Sequence, residues 1–307
     1  MLLNQTRPIQ RTVDQGRGVT MSGSASRLFL LQYGAERVPK SLSLRGGPPD
    51  LGWEPLPGVL VETTDGWILF DTGMARSAHD AEETQGIYRQ GALDLGEDPN
   101  EETWALYPEP PDPHRWTWGL AGDPLVTALE QVGLRPGDLT MAVISHLHLD
   151  HSGGVPTLAA AGVPIAIQES ELDFVRSGRA SFHEGFRQED WSHPETSWVT
   201  LSGDTELAPG VRVLSTPGHT PGHSSLRVDL PGTGTWVFAA DAADLGQNFL
   251  DRVPCGYAAG GTPDDERAAE ESFERLLREG SDNDARLIPG HDQLLLNAVR
   301  HPPGGHR

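Results

Sequence analysis

Ser145-His146-Leu147-His148-Leu149-Asp150-His151-Ser152-Gly153-Gly154 is the stretch on which the reading of this chain turns. Three histidines and one aspartate fall within six consecutive positions, and neutral imidazole with carboxylate is the donor set suited to zinc and related divalent ions. A lone histidine near a strand end is normally a surface residue or a satisfied core group; this density points to a metal site. Upstream, Met141, Ala142, Val143 and Ile144 form the short apolar run of a buried strand, which puts the cluster at that strand's C-terminal end. Gly153 and Gly154 follow and permit a tight turn. Continued as extended chain, the segment would aim His146, His148 and Asp150 at one point and His151 at a second, and two neighbouring metal ions would use all four.

The rest of the composition narrows the class. With 307 residues, 36% of them hydrophobic, the chain can bury a sizeable core, and length alone suggests about two domains. A net charge of −21, from 23 basic against 44 acidic residues, repels phosphate backbones and anionic membranes, so neither nucleic acid nor membrane is expected as a partner. A neutral or apolar small substrate fits better. The single cysteine, Cys255, excludes an intrachain disulfide and a cysteine-based structural zinc site, and reads as a small buried hydrophobe. No stretch has the length of a membrane span and the N-terminus lacks an apolar signal core, which makes a cytoplasmic location the default.

Residues 1–26 are polar and Gly- and Ser-containing, and read as a flexible leader in which Met21 is an alternative start; residues 301–307, with paired Pro and paired Gly, read as an unstructured tail. Between them, β-like runs recur at Leu28–Gln32, Val59–Glu62, Trp67–Phe70, Met141–Ile144, Pro164–Ile167, Val211–Leu214, Leu226–Leu230 and Trp236–Ala240. One helix is predicted from Asp123 as N-cap, with Pro124 first and Gly133 as its stop; another is capped by Thr262 with Asp265 three positions on, buries Ala269, Phe273, Leu276 and Leu277, and ends at Gly280. The acidic, proline-rich stretch 79–118 shows little periodicity and is expected to run over the surface, either as a lid or as a solvated loop.

Further ligand candidates stand where other apolar runs end. Val211–Leu214 leads into Ser215-Thr216-Pro217-Gly218-His219-Thr220-Pro221-Gly222-His223, Trp236–Ala240 ends at Asp241, and Leu287-Ile288-Pro289-Gly290 leads to His291. In this order, from about Leu28 to His291, the set resembles the metallo-β-lactamase superfamily of binuclear metal hydrolases, and within it the N-acyl homoserine lactonases. Phe70-Asp71-Thr72-Gly73-Met74 and Gln247-Asn248-Phe249 through Val253-Pro254 add to the likeness. The resemblance implies an α/β fold, an αββα sandwich of two packed β-sheets flanked by helices, built as a single domain over residues 27–300. It implies that His146, His148 and His219 bind one ion, that Asp150, His151 and His291 bind the other, and that Asp241 bridges them. Two divalent ions per chain, zinc by choice, are the implied cofactor.

By the same resemblance the activity is opening of a lactone ring by metal-activated hydroxide, with Asp150 relaying a proton to the leaving alkoxide. Asp71 takes an orienting role beneath the site, His223 gives structural support, and Tyr88, Asp244, Phe249, Gly256 and Tyr257 are the pocket candidates. His79, His114, His183, His193, His301 and His306, in polar surroundings, are expected to face solvent. The partner is a small lactone or ester, with a homodimer the only protein assembly entertained. One departure stands out: the resemblance implies a tyrosine three positions after Asp241, where this chain has Asp244, so that the metals, Tyr257 or a different substrate must make up for the missing hydroxyl. A generalist lactonase or ester hydrolase and a non-catalytic metal scaffold are the alternatives. Class B β-lactamases place a cysteine at Asp241, glyoxalase II enzymes add a C-terminal domain where sixteen residues follow His291 here, and nucleases need a basic surface.

Overall fold

Pro55 and Pro57 stand inside a strand, and their position explains how the first sheet is laid out. In a computed structural model, residues 21, 23–96, 114–258, 261–294, 296 and 301–307 are described. The first sheet has seven strands: β1 (Ala25–Pro39), β2 (Leu51–Thr63), β3 (Gly66–Phe70), β4 (Thr117–Gly119), β5 (Leu139–Val143), β6 (Ile165–Gln168) and β7 (Trp198–Leu201), in the order β4-β1-β2-β3-β5-β6-β7. β3 covers β2 only from Val59 to Thr63. Over Leu51–Gly58, β2 has β1 as its sheet partner, so prolines are tolerated there as they are on an edge. This is why the first two β-runs, expected to be short, form a long antiparallel ribbon with a register shift between Gln32 and Gly34.

The second sheet comprises β8 (Thr205–Ala208), β9 (Val211–Ser215), β10 (Ser224–Leu230), β11 (Gly234–Phe238) and β12 (Arg286–Ile288), in the order β12-β11-β10-β9-β8. Both sheets are mixed: β3, β5, β6 and β7 run parallel, as do β11 and β12, and the other pairs are antiparallel. Strand periodicity sorts the core into layers. Ile68, Phe70, Met141 and Val143 meet Val211, Val213, Leu226 and Val228 between the sheets. Leu60, Leu69 and Ala142 face outward onto Leu125, Leu129, Leu158 and Leu172 of the helical layer. On the other side Leu214, Val237 and Ala239 pack on Phe273 and Leu276 of helix Pro263–Asn283. The αββα sandwich expected from the sequence is the fold, and buried strands of this kind need apolar residues on both faces.

Helix Pro124–Gln131 starts where predicted, with the Asp123 carboxylate accepting from the Val126 amide. Thr262 likewise caps the later helix, but that helix runs through Gly280 to Asn283. Gly280 does not stop it because the missing side chain makes room for Leu287 of β12. The stretch 79–118 is a correction in part: Glu82–Asp94 is helix and Thr117–Gly119 pairs with β1, while residues 97–113 lie outside the described residues. His79, expected in solvent, is buried against Thr117, with Gln85 bonding both the His79 carbonyl and the Thr117 hydroxyl. The tail 301–307 is not loose either, since His306 exchanges backbone hydrogen bonds with Leu28 and its ring lies on Trp236, and His301 is half-buried against His306. At the other end, β1 begins at Ala25, and Met21 is buried with its amide donating to Leu207; residues 1–20 lie outside the described residues. Among the described residues no helix is long and apolar enough to cross a membrane.

Candidate metal centre

Every ligand candidate sits just beyond the C-terminal end of a strand, and all of these ends open at one rim of the sandwich. The extended chain that leaves β5 ends at His148, whose φ of −65° and ψ of 150° lead into a one-turn helix, Leu149–Ser152. The turn separates Asp150 from His146 and His148, overturning the alternation an uninterrupted strand would give. Two four-residue groups result, His146, His148, His219 and Asp241 in one and Asp150, His151, Asp241 and His291 in the other, with donor atoms within 4.8 Å of one another in each. All are buried.

Asp241 belongs to both groups, one oxygen to each. Its Oδ2 lies 3.2 Å from His219 Nε2 and 3.6 Å from His146 Nε2, whereas Oδ1 lies 3.0 Å from His151 Nε2 and 3.2 Å from His291 Nε2. In the first group His148 Nδ1 is 2.9 Å from His146 Nε2 and 3.0 Å from His219 Nε2. Three imidazole nitrogens turned on one another are acceptors in search of a shared cation, since few of them can carry the proton that would make these contacts hydrogen bonds. Buried His148 Nε2 and His219 Nδ1 have no hydrogen-bond partner among the described residues. The donor set therefore fits divalent metal ions.

The surroundings fix these side chains. Asp71, at a positive φ of 61°, accepts the Ser145 amide at 2.7 Å and faces His151 Nδ1 at 2.9 Å. His291 Nδ1 donates to the Pro55 carbonyl at 2.9 Å, which leaves Nε2 bare toward Asp241. His223 lies 3.0 Å from the Thr216 carbonyl through Nδ1 and accepts the Asp241 amide at 3.1 Å through Nε2, so it supports the carboxylate and is in neither group. Ala240, just before Asp241, is held at φ 46°, a strained conformation for alanine. Glycine is required at Gly218, whose φ is 135° and whose absent Cβ would strike the backbone of Ala269. Glu171, which carried no sequence signal, ties the two histidine loops together by accepting the Leu147 amide at 3.0 Å, the Thr220 hydroxyl at 2.7 Å and the Gly222 amide at 2.9 Å.

Electrostatically the groups differ. Burial lowers His146 and His219 well below the ordinary histidine range and His148 to about 4, against the pull of Asp241. Burial works in the same direction on His151 and His291, but there the carboxylates prevail, Asp150 and Asp241 around His151 and Asp241 with Asp244 around His291, and both are raised well above it. Asp241 is held well below the carboxylate range, since the histidines around it outweigh its burial.

Beside the groups opens a cavity of about 390 Å³, lined by His148, Asp150, His219, Asp241 and His291 at its floor. Tyr88, Asp244, Gly256 and Tyr257 also line it, as does helix Glu82–Asp94 through Ile87 and Gly91, with Leu95 just past its end. Phe249 does not: helix Gly246–Asp251 turns it onto Phe273, ring stacked on ring with centroids 5.9 Å apart. Tyr257 stands near His219 and His148, with ring centroids 5.8 and 6.2 Å away. Burial raises Asp244 well above the carboxylate range, and the buried Cys255 thiol lies beside it. Glu36 and Glu54, absent from the sequence reading, are buried in the same wall.

A fold of this kind with donors at these strand ends defines a class, and the chain belongs to it: the model of the metallo-β-lactamase superfamily matches residues 52–291. Within that class the N-acyl homoserine lactonase of Bacillus cereus is 32% identical over 235 residues, spanning 76% of this chain and 79% of that protein. A solved N-acyl homoserine lactone hydrolase, with the product N-hexanoyl-L-homoserine bound at its catalytic metal centre, is similar at a TM-score of 0.69 and 28% identity, covering 88% of this chain and 94% of that one. A single-substitution mutant of Bacillus thuringiensis AiiA with N-decanoyl-L-homoserine bound at the active site is similar to the same degree, at a TM-score of 0.69 and 28% identity over 88% and 94% of the two chains.

Proposed function

We propose that the chain is a dinuclear metal hydrolase that opens the lactone ring of N-acyl homoserine lactones. The observation that carries the reading is the division of Asp241, one carboxylate oxygen to each histidine group. His146, His148 and His219 would hold one ion and Asp150, His151 and His291 the other, with Asp241 shared and zinc the ion that suits the donors. Such ions, when bound, supply Lewis acidity and an acidified water.

The protein's own groups do the rest. Asp150, ionised and at the cavity floor, accepts the proton of the attacking water and returns it to the ring oxygen that leaves. Tyr257, which lines the cavity beside His148 and His219, would offer the ester carbonyl the hydroxyl that position 244 lacks. The apolar lining from Val38, Leu42, Ile87 and Leu95 excludes water and accommodates an acyl chain. Asp244 in place of tyrosine is the one feature that favours a broader lactonase or ester hydrolase as a second reading.

Product analysis with lactones of graded acyl length, a simple ester and a β-lactam tests the assignment, alongside metal content. Ring-opened N-acyl homoserine from a protein carrying two ions per chain is the expected result. Cleavage of the β-lactam alone, or full turnover by metal-stripped protein, overturns it.

A further inference from the structure

Three buried carboxyl groups outside the two four-residue ligand groups stand along one wall of the cavity. Glu36 comes from β1, Glu54 from β2 and Asp244 from the loop after β11, each 6% exposed. A carboxyl oxygen of Glu36, one of Glu54 and a ring nitrogen of His291 all lie within 4.8 Å of one another, so the wall adjoins the second ligand group directly. Burying acids beside a site that already contains Asp150 and Asp241 is costly, and such groups persist where something offers them protons or hydrogen bonds.

The protein offers them little. Tyr88 donates its hydroxyl to Glu36. Ser43 Oγ reaches both oxygens of Glu54, at 2.8 and 2.9 Å, but has one proton to share between them. Asp244 Oδ1 has no hydrogen-bond partner among the described residues. Among the described residues no lysine or arginine lines the cavity, whereas Glu36, Glu54, Asp94, Asp150, Glu184, Asp241 and Asp244 all do. A third metal ion is a poor match, because His291 already directs Nδ1 to the Pro55 carbonyl and Nε2 to Asp241.

We propose that Glu36, Glu54 and Asp244 form a subsite for a nitrogen that carries hydrogen, an amide N–H or an ammonium group, on the substrate carbon next to the scissile ester. The inference rests on the lactonase reading for the position of the ester, and deepens it by naming what the neighbouring carbon must bear. A nitrogen-bound proton meets the unused oxygens of the wall, and in the ammonium case offsets its charge as well. Tyr88, Ser43 and the Cys255 thiol serve part of the wall, but an oxygen or methylene at that carbon brings no donor to the oxygens they leave over, Asp244 Oδ1 first among them, the kind of mismatch by which buried polar sites discriminate strongly.

The test compares N-hexanoyl-homoserine lactone, homoserine lactone with its free ammonium, and α-hexyl-γ-butyrolactone, which has no nitrogen, on the metal-loaded protein and on Glu36→Leu and Glu54→Leu, with Glu54→Gln as the milder change. Preference of the wild type for a nitrogen-bearing ring, with a loss of kcat/KM in the variants at least about tenfold greater for that ring than for the nitrogen-free one, is expected. The amide and ammonium arms separate the two sources of the proton. Equal losses on all rings, or no loss on any, overturn the subsite, as does a third ion per chain that vanishes in the variants. Calorimetric binding of the ring-opened acids with and without the nitrogen needs no turnover. Discrimination there without lactone hydrolysis keeps the subsite and overturns the lactonase reading, and hydrolysis without discrimination does the reverse.

Discussion

The two ligand groups share Asp241 and otherwise differ in what surrounds them. His146, His148 and His219 are neutral imidazoles pressed together by burial, and the loops that carry them are tied by Glu171. Asp150, His151 and His291 stand among carboxylates, with Asp71 behind His151 and Asp244 near His291, and these raise the affinity of both histidines for protons. The first group is shaped mainly by packing and the second mainly by charge. Ions held by the two groups would therefore differ in affinity and in how they respond to protons, although one residue joins the groups.

The change that should abolish the difference is Asp241→Ala, which removes an oxygen from each group at once. Loss of both ions and a fall in kcat/KM on the order of 10³-fold or more are expected, read by metal analysis and product formation. Asp71→Asn acts on one side. It should weaken the ion of the His151 group by roughly 10–100-fold while the His146 group keeps its ion, visible as loss of one equivalent on chelator titration. Glu171→Gln acts on the other side, replacing an acceptor of three hydrogen bonds by a group that presents donors to donors. A cost of about 1–3 kcal/mol in thermal stability is expected, with weaker metal binding at the His146 group only. Equal weakening at both groups in either variant would dissolve the comparison.

Acidification probes the contrast most gently. His151 and His291 have raised affinity for protons, so as pH falls protons compete for them before they compete for His146, His148 and His219, which are lowered. The ion of the His151 group should leave at the higher pH, in two resolved steps of metal release. Release in the opposite order would mean that the bound ions, rather than the protein's charges, decide the matter.

The parts of the site that the sequence made legible are those whose chemistry is compressed into short runs. His146 to His151 announces a metal, and glycine and proline beside His219 and His291 mark loops at strand ends. The caps at Asp123 and Thr262 were readable for the same reason, because N-caps act within three residues. What escaped was assembled from distant pieces. Glu36 and Glu54 are single acids, Glu54 beside Pro55 in a segment whose prolines argue against a strand until one sees that, among the described residues, β2 has no second strand neighbour there. Phe249 looked like a pocket residue and packs on a helix instead, because a half-turn's rotation of a short helix is beyond any local pattern. Asp150 was misplaced by alternation alone, since one helical turn after His148 undoes the period of two on which that reading depends.

The ribbon of β1 and β2, together with helix Glu82–Asp94, supplies Glu36, Val38, Glu54, Ile87 and Tyr88 to the cavity, whereas every candidate metal donor lies at or beyond His146. One wall of the cavity is thus written in a different stretch of the chain from the donors, while Glu184, Asp244 and Tyr257 complete the lining from the donors' own stretch. Recombination between relatives at a point between residues 119 and 139 would exchange that one wall and keep every donor of the two ligand groups, provided the incoming stretch again supplies the partners that Asp71 and the Pro55 carbonyl give to His151 and His291.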